Sequence, residues 1–235
     1  MQAVILAAGR GTRMGALTDS VPKPMLKVAG KTLLEHKFDI LPPDIHEIVI
    51  IVGYQADVIR NAYGTAYKGI PIRYVEQEQL NGSMGALALA APFLSERFVV
   101  MMGDDIYSRE ELLSIMHVPQ WGMLLKDMEH MASGGRIITD ANGVVTAIEE
   151  GDHKGKPGLF NTNMFVLDGR VFEYPMIPKS VGSEEYGLPQ TVLEASKTSG
   201  IPLQSVPAVD WFQVTSPEDI PLAEEHLAIE ENAQP

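Results

Sequence analysis

The chain has 235 residues, 45% hydrophobic and 21% charged, with 31 acidic against 18 basic residues and a formal net charge of −13. That is an ordinary globular composition, long enough to bury a core, and its acidic balance excludes the broad basic face that duplex nucleic acid requires. The absence of cysteine excludes disulfides, thiolate metal sites and cysteine nucleophiles.

Met1-Gln2-Ala3 lacks the basic start and cleavage site of a secretory signal, and no uninterrupted apolar run approaches the roughly 18 residues of a membrane span. A soluble, cytoplasmic protein without a membrane partner is therefore expected. Charge is unevenly placed. Arg10, Arg13, Lys23, Lys27, Lys31 and Lys37 face only Asp19 and Glu35 over residues 1–38, and no Lys or Arg follows Lys197. A positive patch on an acidic body is expected, with the acidic tail 224–231 as a solvated helix face.

The first predicted element is a buried strand over residues 3–8, which breaks into Gly9-Arg10-Gly11-Thr12-Arg13-Met14-Gly15 and then Pro22-Lys23-Pro24-Met25-Leu26. Glycines two apart let the backbone turn sharply and turn its N–H groups toward an anion, and Arg13 and Lys23 bring cationic heads to the same place. Two other glycine-rich readings fail. The dinucleotide fingerprint G-x-G-x-x-G is missed by one residue, and Pro22 and Pro24 stand where a helix would have to run. Gly30-Lys31-Thr32 resembles the end of a P-loop, but the glycine needed five residues earlier falls on Met25.

Further strands are predicted over 47–52, 70–75 and 98–102. Between them lie helices over 55–63 and 84–94 and helices opened by the capping boxes Thr32-Leu33-Leu34-Glu35 and Ser108-Arg109-Glu110-Glu111. This alternation predicts a mostly parallel sheet. Beyond Trp121 the pattern becomes antiparallel, with strands over 122–126, 135–139, 144–148 and 160–167 and the hairpin signal Ala141-Asn142-Gly143. A helix over 188–199, a strand over 203–206 and a last helix capped at Ser216, with Pro217 in its first position, complete the chain. Trp121 and Trp211 are expected in the core or a pocket wall. There is no repeat or linker, and one domain over 1–235 is expected.

The stretch from Leu6 to Met14, followed by Pro22-Lys23-Pro24-Met25-Leu26, resembles the signature of the sugar-phosphate nucleotidyltransferases, or nucleotide-sugar pyrophosphorylases. The resemblance continues along the chain at the length of a bare catalytic domain. It implies an α/β fold, a Rossmann-like sheet of the nucleotide-diphospho-sugar transferase type with a small antiparallel extension. It also implies an enzyme that condenses an NTP with a sugar 1-phosphate and releases pyrophosphate, with Mg2+ as cofactor. By the same resemblance Arg13 holds the departing pyrophosphate and Lys23 the phosphate under attack. Leu6, Ala7, Ala8, Gly9, Gly11 and Thr12 would wrap the triphosphate, with Gln77, Gly82 and Ser83 at the base. Transfer of this kind is driven by alignment and charge neutralisation, which explains the residue types.

Asp104, after the strand over 98–102, matches the family's magnesium aspartate. Gln213 and Thr215 stand where the second acidic ligand is common; either Asp210, three residues earlier, substitutes by a small shift, or the metal relies on Asp104, phosphates and water. Gly135, Glu149, Glu150, Asn161 and Thr162 resemble the acceptor site, and Tyr186-Gly187-Leu188-Pro189-Gln190 is either pocket or helix lead-in. The lysine that often follows the glutamate pair is replaced by Gly151-Asp152, so Lys154 or Lys156 is expected to reach the acceptor phosphate. The alternatives are a cytidylyltransferase acting on a non-sugar phosphomonoester such as phosphocholine, or a non-catalytic nucleotide-binding homologue. The partners expected are an NTP and a small phosphorylated acceptor, with homo-oligomer formation left open.

Overall fold

The structure, a computed structural model, describes residues 1–95 and 97–233, giving the backbone alone for 132–133 and 230–233. Strand β1, Gln2–Leu6, is wholly buried and is followed by two short strands, β2 Lys27–Val28 and β3 Lys31–Thr32, and by helix α1, Leu33–Ile40. The expected capping box is present: Thr32 Oγ1 accepts the Glu35 N–H at 3.0 Å, and Glu35 Oε2 accepts the Thr32 N–H at 2.7 Å. Next come β4 Glu47–Val52, α2 Ala56–Tyr63, β5 Ala66–Tyr67, β6 Ile70–Glu76 and α3 Ser83–Ala90. The helix expected over 84–94 ends at Ala90 and tightens into a 3-10 turn, Ala91–Phe93, because Pro92 cannot donate to an α-helical ladder. Strand β7 Arg97–Met102, β8 Asp105–Ile106 and α4 Arg109–Met116 follow.

Two long strands come after α4, β9 Trp121–Thr139 and β10 Val145–Asp168. Each was expected as two strands. Register shifts between Asp152 and Phe160, with positive φ at Gly134, Gly151 and Lys154, bend the pair without ending it. Asp140 closes the turn between them by accepting the N–H groups of Asn142 and Val144 at 2.8 and 2.9 Å. The chain then forms α5 Leu188–Ser199, β11 Leu203–Ala208, β12 Phe212–Gln213 and α6 Asp219–Ala233. The cap of α6 differs from expectation: Asp219 Oδ2 reaches back to the N–H groups of Thr215 and Ser216, both at 2.7 Å, and Pro217 lies in the preceding turn.

Eight strands form one sheet in the order β11-β9-β10-β7-β1-β4-β6-β5. β7, β1, β4 and β6 are parallel, whereas β10 joins β7 antiparallel, so the fold is the expected mostly parallel α/β sheet with an antiparallel extension. Successive residues of β1 serve opposite faces. Val4 and Leu6 belong to one core with Leu87 of α3 and Val192 of α5, while Ala3 and Ile5 belong to the other with Phe38 of α1, Ile59 of α2 and Leu112 of α4. Val4, Ile5 and Leu6 each contribute about 1.5–3 kcal/mol by leaving water, so β1 anchors both layers.

The chain leaves β1 toward β4 on one side, and its other neighbour, β7, arrives later from the far side. A crevice therefore opens beyond the carboxyl ends of β1 and β7, where the strand order reverses. Among the described residues no helix is long and apolar enough to cross a membrane.

Candidate active site

Two segments enter that crevice. From β1 comes the Gly9–Pro22 loop; from β7 come Gly103 and Asp104. Gly103 donates its N–H to Leu6 O at 2.8 Å, and an added Cβ would lie 2.9 Å from that same oxygen, so only glycine lets the two strand ends approach this closely. Gly11 has φ +64, and a Cβ there would meet Lys23 Cβ at 2.8 Å. The loop therefore turns where it does partly to seat Lys23.

Lys23 opens a 3-10 turn, Lys23–Met25, and is 5% exposed. Its Nζ donates to Asp104 Oδ2 at 2.6 Å. The far end of the loop is tied to the β4–α2 turn, since Tyr54 Oη donates to the carbonyls of Thr18 and Asp19 at 3.0 and 3.1 Å and Gln55 Nε2 to Asp19 at 2.9 Å. Arg10 stacks over Tyr54, 5.3 Å from its ring centroid, away from the crevice.

Two cavities meet at this point. One, of about 210 Å³, is lined by Leu6, Ala7, Gly9, Gly11, Thr12, Arg13, Lys23, Asp104 and Thr215 among others. Its neighbour, of about 350 Å³, is lined by Gly82, Ser83, Gly135, Glu150, Asn161, Asn163, Lys179, Glu185, Tyr186, Gln190 and Gln213. Arg13, Met102 and Asp104 belong to both walls. A reacting group held in one cavity thus meets a group held in the other beside one arginine, one carboxylate and the adjoining Lys23.

Behind Asp104 lies a buried polar layer. Asp105 is 1% exposed, and its Oδ2 accepts from Trp211 Nε1 and Tyr107 Oη, both at 3.3 Å. Lys37, wholly buried, donates to the carbonyls of Leu33 and Asp105. Burial pushes the Asp105 carboxyl up from its ordinary value, helped by the charge of Asp104, and pushes the Lys37 ammonium down.

Several candidate residues stand elsewhere than the sequence suggested. Ala8 is buried beneath the loop, its carbonyl accepting the Tyr54 N–H at 3.1 Å. Gln77, 5% exposed, shapes the turn before α3 by donating to Asn81 Oδ1 at 3.0 Å and Gly82 O at 3.3 Å and does not line either cavity. Glu149 and Glu150 point to opposite sides of β10. Glu150 lines the larger cavity and accepts from Gln190 Nε2 at 2.8 Å, whereas Glu149 pairs with Arg136 at 3.6 Å. Likewise Asn161 lines the cavity, linked to Asn163 through Nδ2 at 2.8 Å, while Thr162 is fully buried with Oγ1 donating to Leu124 O at 2.8 Å.

Lys156 pairs with Met131 far along the β9–β10 arm, and neither it nor Lys154 lines the cavity; the cations there are Arg13 and Lys179. Asp210 is also displaced. Its N–H and carbonyl are engaged by Glu111 and His226, and it lines neither cavity. The β12–β8 pairing instead sets Gln213 opposite Asp105. Asn163 lines the cavity from a residue with φ +58 inside a register shift of β10, which strand alternation does not foresee, and Lys179 and Glu185 sit in an irregular segment without a local pattern.

Among the described residues no three His, Asp or Glu side chains cluster as a metal site. Oxygen donors nonetheless flank Asp104, whose carboxylate shares the wall of the smaller cavity with Thr215 and that of the larger cavity with Gln213. That set fits magnesium, a hard cation that keeps several waters and takes few protein ligands beside substrate phosphates.

The family model described as nucleotidyl transferase matches residues 2–186. UTP–glucose-1-phosphate uridylyltransferase AglF of Haloferax volcanii is 28% identical over 97% of this chain and 96% of its own. The bifunctional protein GlmU of Methanocaldococcus jannaschii is also 28% identical over 97% of this chain, which spans only 54% of that relative. A candidate glucose-1-phosphate thymidylyltransferase from Bacillus anthracis, crystallised with a sucrose, superposes with a TM-score of 0.80 at 24% identity, covering 96% of this chain and 94% of its own.

Proposed function

Because the chain belongs to the nucleotidyl transferase family, we propose that it condenses an NTP with a sugar 1-phosphate, forming a nucleotide-diphospho-sugar and pyrophosphate. The observation that carries this reading is the junction of two cavities at Arg13, Met102 and Asp104, with Lys23 2.6 Å from Asp104. The smaller, glycine-walled cavity suits the triphosphate, and the larger one, with Glu150, Asn161 and Gln190, suits sugar hydroxyls. A phosphate oxygen of the acceptor forms a bond to the α-phosphorus, the bond from that phosphorus to the bridging oxygen breaks, and pyrophosphate departs with the electron pair.

No general base is required, since the acceptor oxygen is already anionic. Lys23 offers a point charge to the phosphate under attack, and Arg13 a planar fork to the departing oxygens. Charge aimed at developing oxyanions from fixed positions supplies rate. Magnesium, held by Asp104 with Gln213 and Thr215 nearby, would supply further neutralisation of phosphate charge.

A second reading, transfer to a non-sugar phosphomonoester, is favoured by one observation: no lysine of β10 lines the acceptor cavity. The test is a pyrophosphate-release screen crossing the four NTPs with sugar 1-phosphates and phosphocholine-like acceptors. Release with a sugar 1-phosphate is expected. Release only with CTP and a phospho-alcohol establishes the second reading, and nucleotide binding without release makes the chain a non-catalytic homologue.

A further inference from the structure

Glu111 is 3% exposed and stands in the first turn of α4. Its Oε2 accepts the Ser108 N–H at 2.9 Å, and that bond completes the helix cap. Capping needs nothing from the other oxygen, yet Oε1 accepts three successive N–H groups, those of Val209, Asp210 and Trp211, at 2.8, 2.8 and 2.9 Å. Hydrogen bonds to an ionised acceptor are roughly twice as strong as neutral ones. One buried carboxylate thus fixes a tripeptide about 100 positions later in the chain.

That tripeptide leads straight into the site. Trp211 donates its indole N–H to Asp105 Oδ2 at 3.3 Å, and two residues later Gln213 pairs with Asp105 and lines the same cavity as Asp104. We propose that Glu111 is a positioning residue for nucleotidyl transfer, holding residues 209–211 so that Gln213 is presented beside Asp104. This rests on Asp104 and Gln213 forming the cation-binding end of the site proposed above. Glu111 touches no reacting atom; it acts through the loop.

The test compares Glu111→Gln with Ser108→Ala, which loses the helix cap without touching residues 209–211, and with Gln213→Ala. Outer-shell substitutions of this kind cost about 10–100-fold in metal affinity or activity. Glu111→Gln is therefore expected to speed amide exchange at 209–211, lower kcat by at least about tenfold and raise the magnesium concentration for half-maximal rate, with KM for the NTP changed less than about twofold. Ser108→Ala should lower Tm but keep wild-type kcat and magnesium dependence. The double variant Glu111→Gln/Gln213→Ala should be no worse than the poorer single variant.

Wild-type magnesium dependence in Glu111→Gln, equal kinetic losses in Ser108→Ala, or additive losses in the double variant each overturn the proposal. So does an unshifted magnesium dependence in Gln213→Ala, a variant that keeps Glu111 and all its bonds and decides the matter even if Glu111→Gln fails to fold. A wild-type chain that releases no pyrophosphate overturns the functional reading and this proposal with it; a normal wild type with an unaffected Glu111→Gln overturns this proposal alone.

Discussion

Lys23 Nζ and Asp104 Oδ2 stand 2.6 Å apart across 81 positions of sequence, with 6% and 28% of their side chains exposed. The carboxylate holds the ammonium in the wall of the smaller cavity, so on the proposed reading the cation is placed before any phosphate arrives. Pre-placed charge spares reorganisation during reaction. Lys23→Ala and Arg13→Ala are each expected to lower turnover by more than about tenfold, with most of the loss in kcat. Near-normal pyrophosphate release from both variants would sink the assignment.

Gly11→Ala should damage the same cation from a distance. The new Cβ would sit 2.8 Å from Lys23 Cβ at a residue with φ +64, so either the loop or the lysine must shift. A misplacement on the order of 1 Å costs up to about 100-fold in rate. The check is kcat beside Tm: activity should fall far more than the folded fraction does.

Adjacent glutamates should behave oppositely. Glu150 faces the larger cavity and Gln190, whereas Glu149 faces Arg136. Glu150→Ala is expected to raise KM for the acceptor by about tenfold, the cost of one lost charge-assisted hydrogen bond. Glu149→Ala should leave it unchanged. Equal effects at the two positions would contradict this geometry.

Thr162→Val tests a residue that looked like part of the acceptor site. Its hydroxyl donates to Leu124 O in the core at 2.8 Å, so the substitution leaves a buried carbonyl without that donor. A loss of about 1–3 kcal/mol is expected in urea unfolding, with acceptor KM unaltered.

Acid should weaken the contacts of Asp39. Burial pushes its carboxyl up, but hydrogen bonds from Lys31, Lys68 and Tyr67 prevail and hold it down at about 2. A carboxyl held below its unfolded value of 3.8 stabilises the fold above that pH, and the contribution is lost as pH falls from about 4 toward about 2. Asp39→Asn should therefore cost on the order of 1 kcal/mol near neutrality, and the difference from wild type should shrink across that acid window. A difference that stays constant down to pH ~2.5 would assign the effect to packing.

The amino-acid sequence by itself determined what neighbours within a few positions decide. The buried run of β1, the capping boxes at Thr32 and Ser108, and the helix Leu188–Ser199 all follow from short-range hydrogen bonding and from periods of 2 or 3.6 residues. The Gly9–Lys23 spacing was legible for the same reason, since a glycine turn after a buried strand needs no distant partner. Only the tertiary structure decided that Glu150 and not Glu149 lines the larger cavity, that Thr162 is buried in the core, and that Gln213 and not Asp210 lines that cavity. In β10, register shifts and positive-φ residues break the simple alternation from which a facing could be counted. At residues 209–211, the backbone is set by the Glu111 carboxylate about 100 positions away, and no local pattern encodes a partner at that distance.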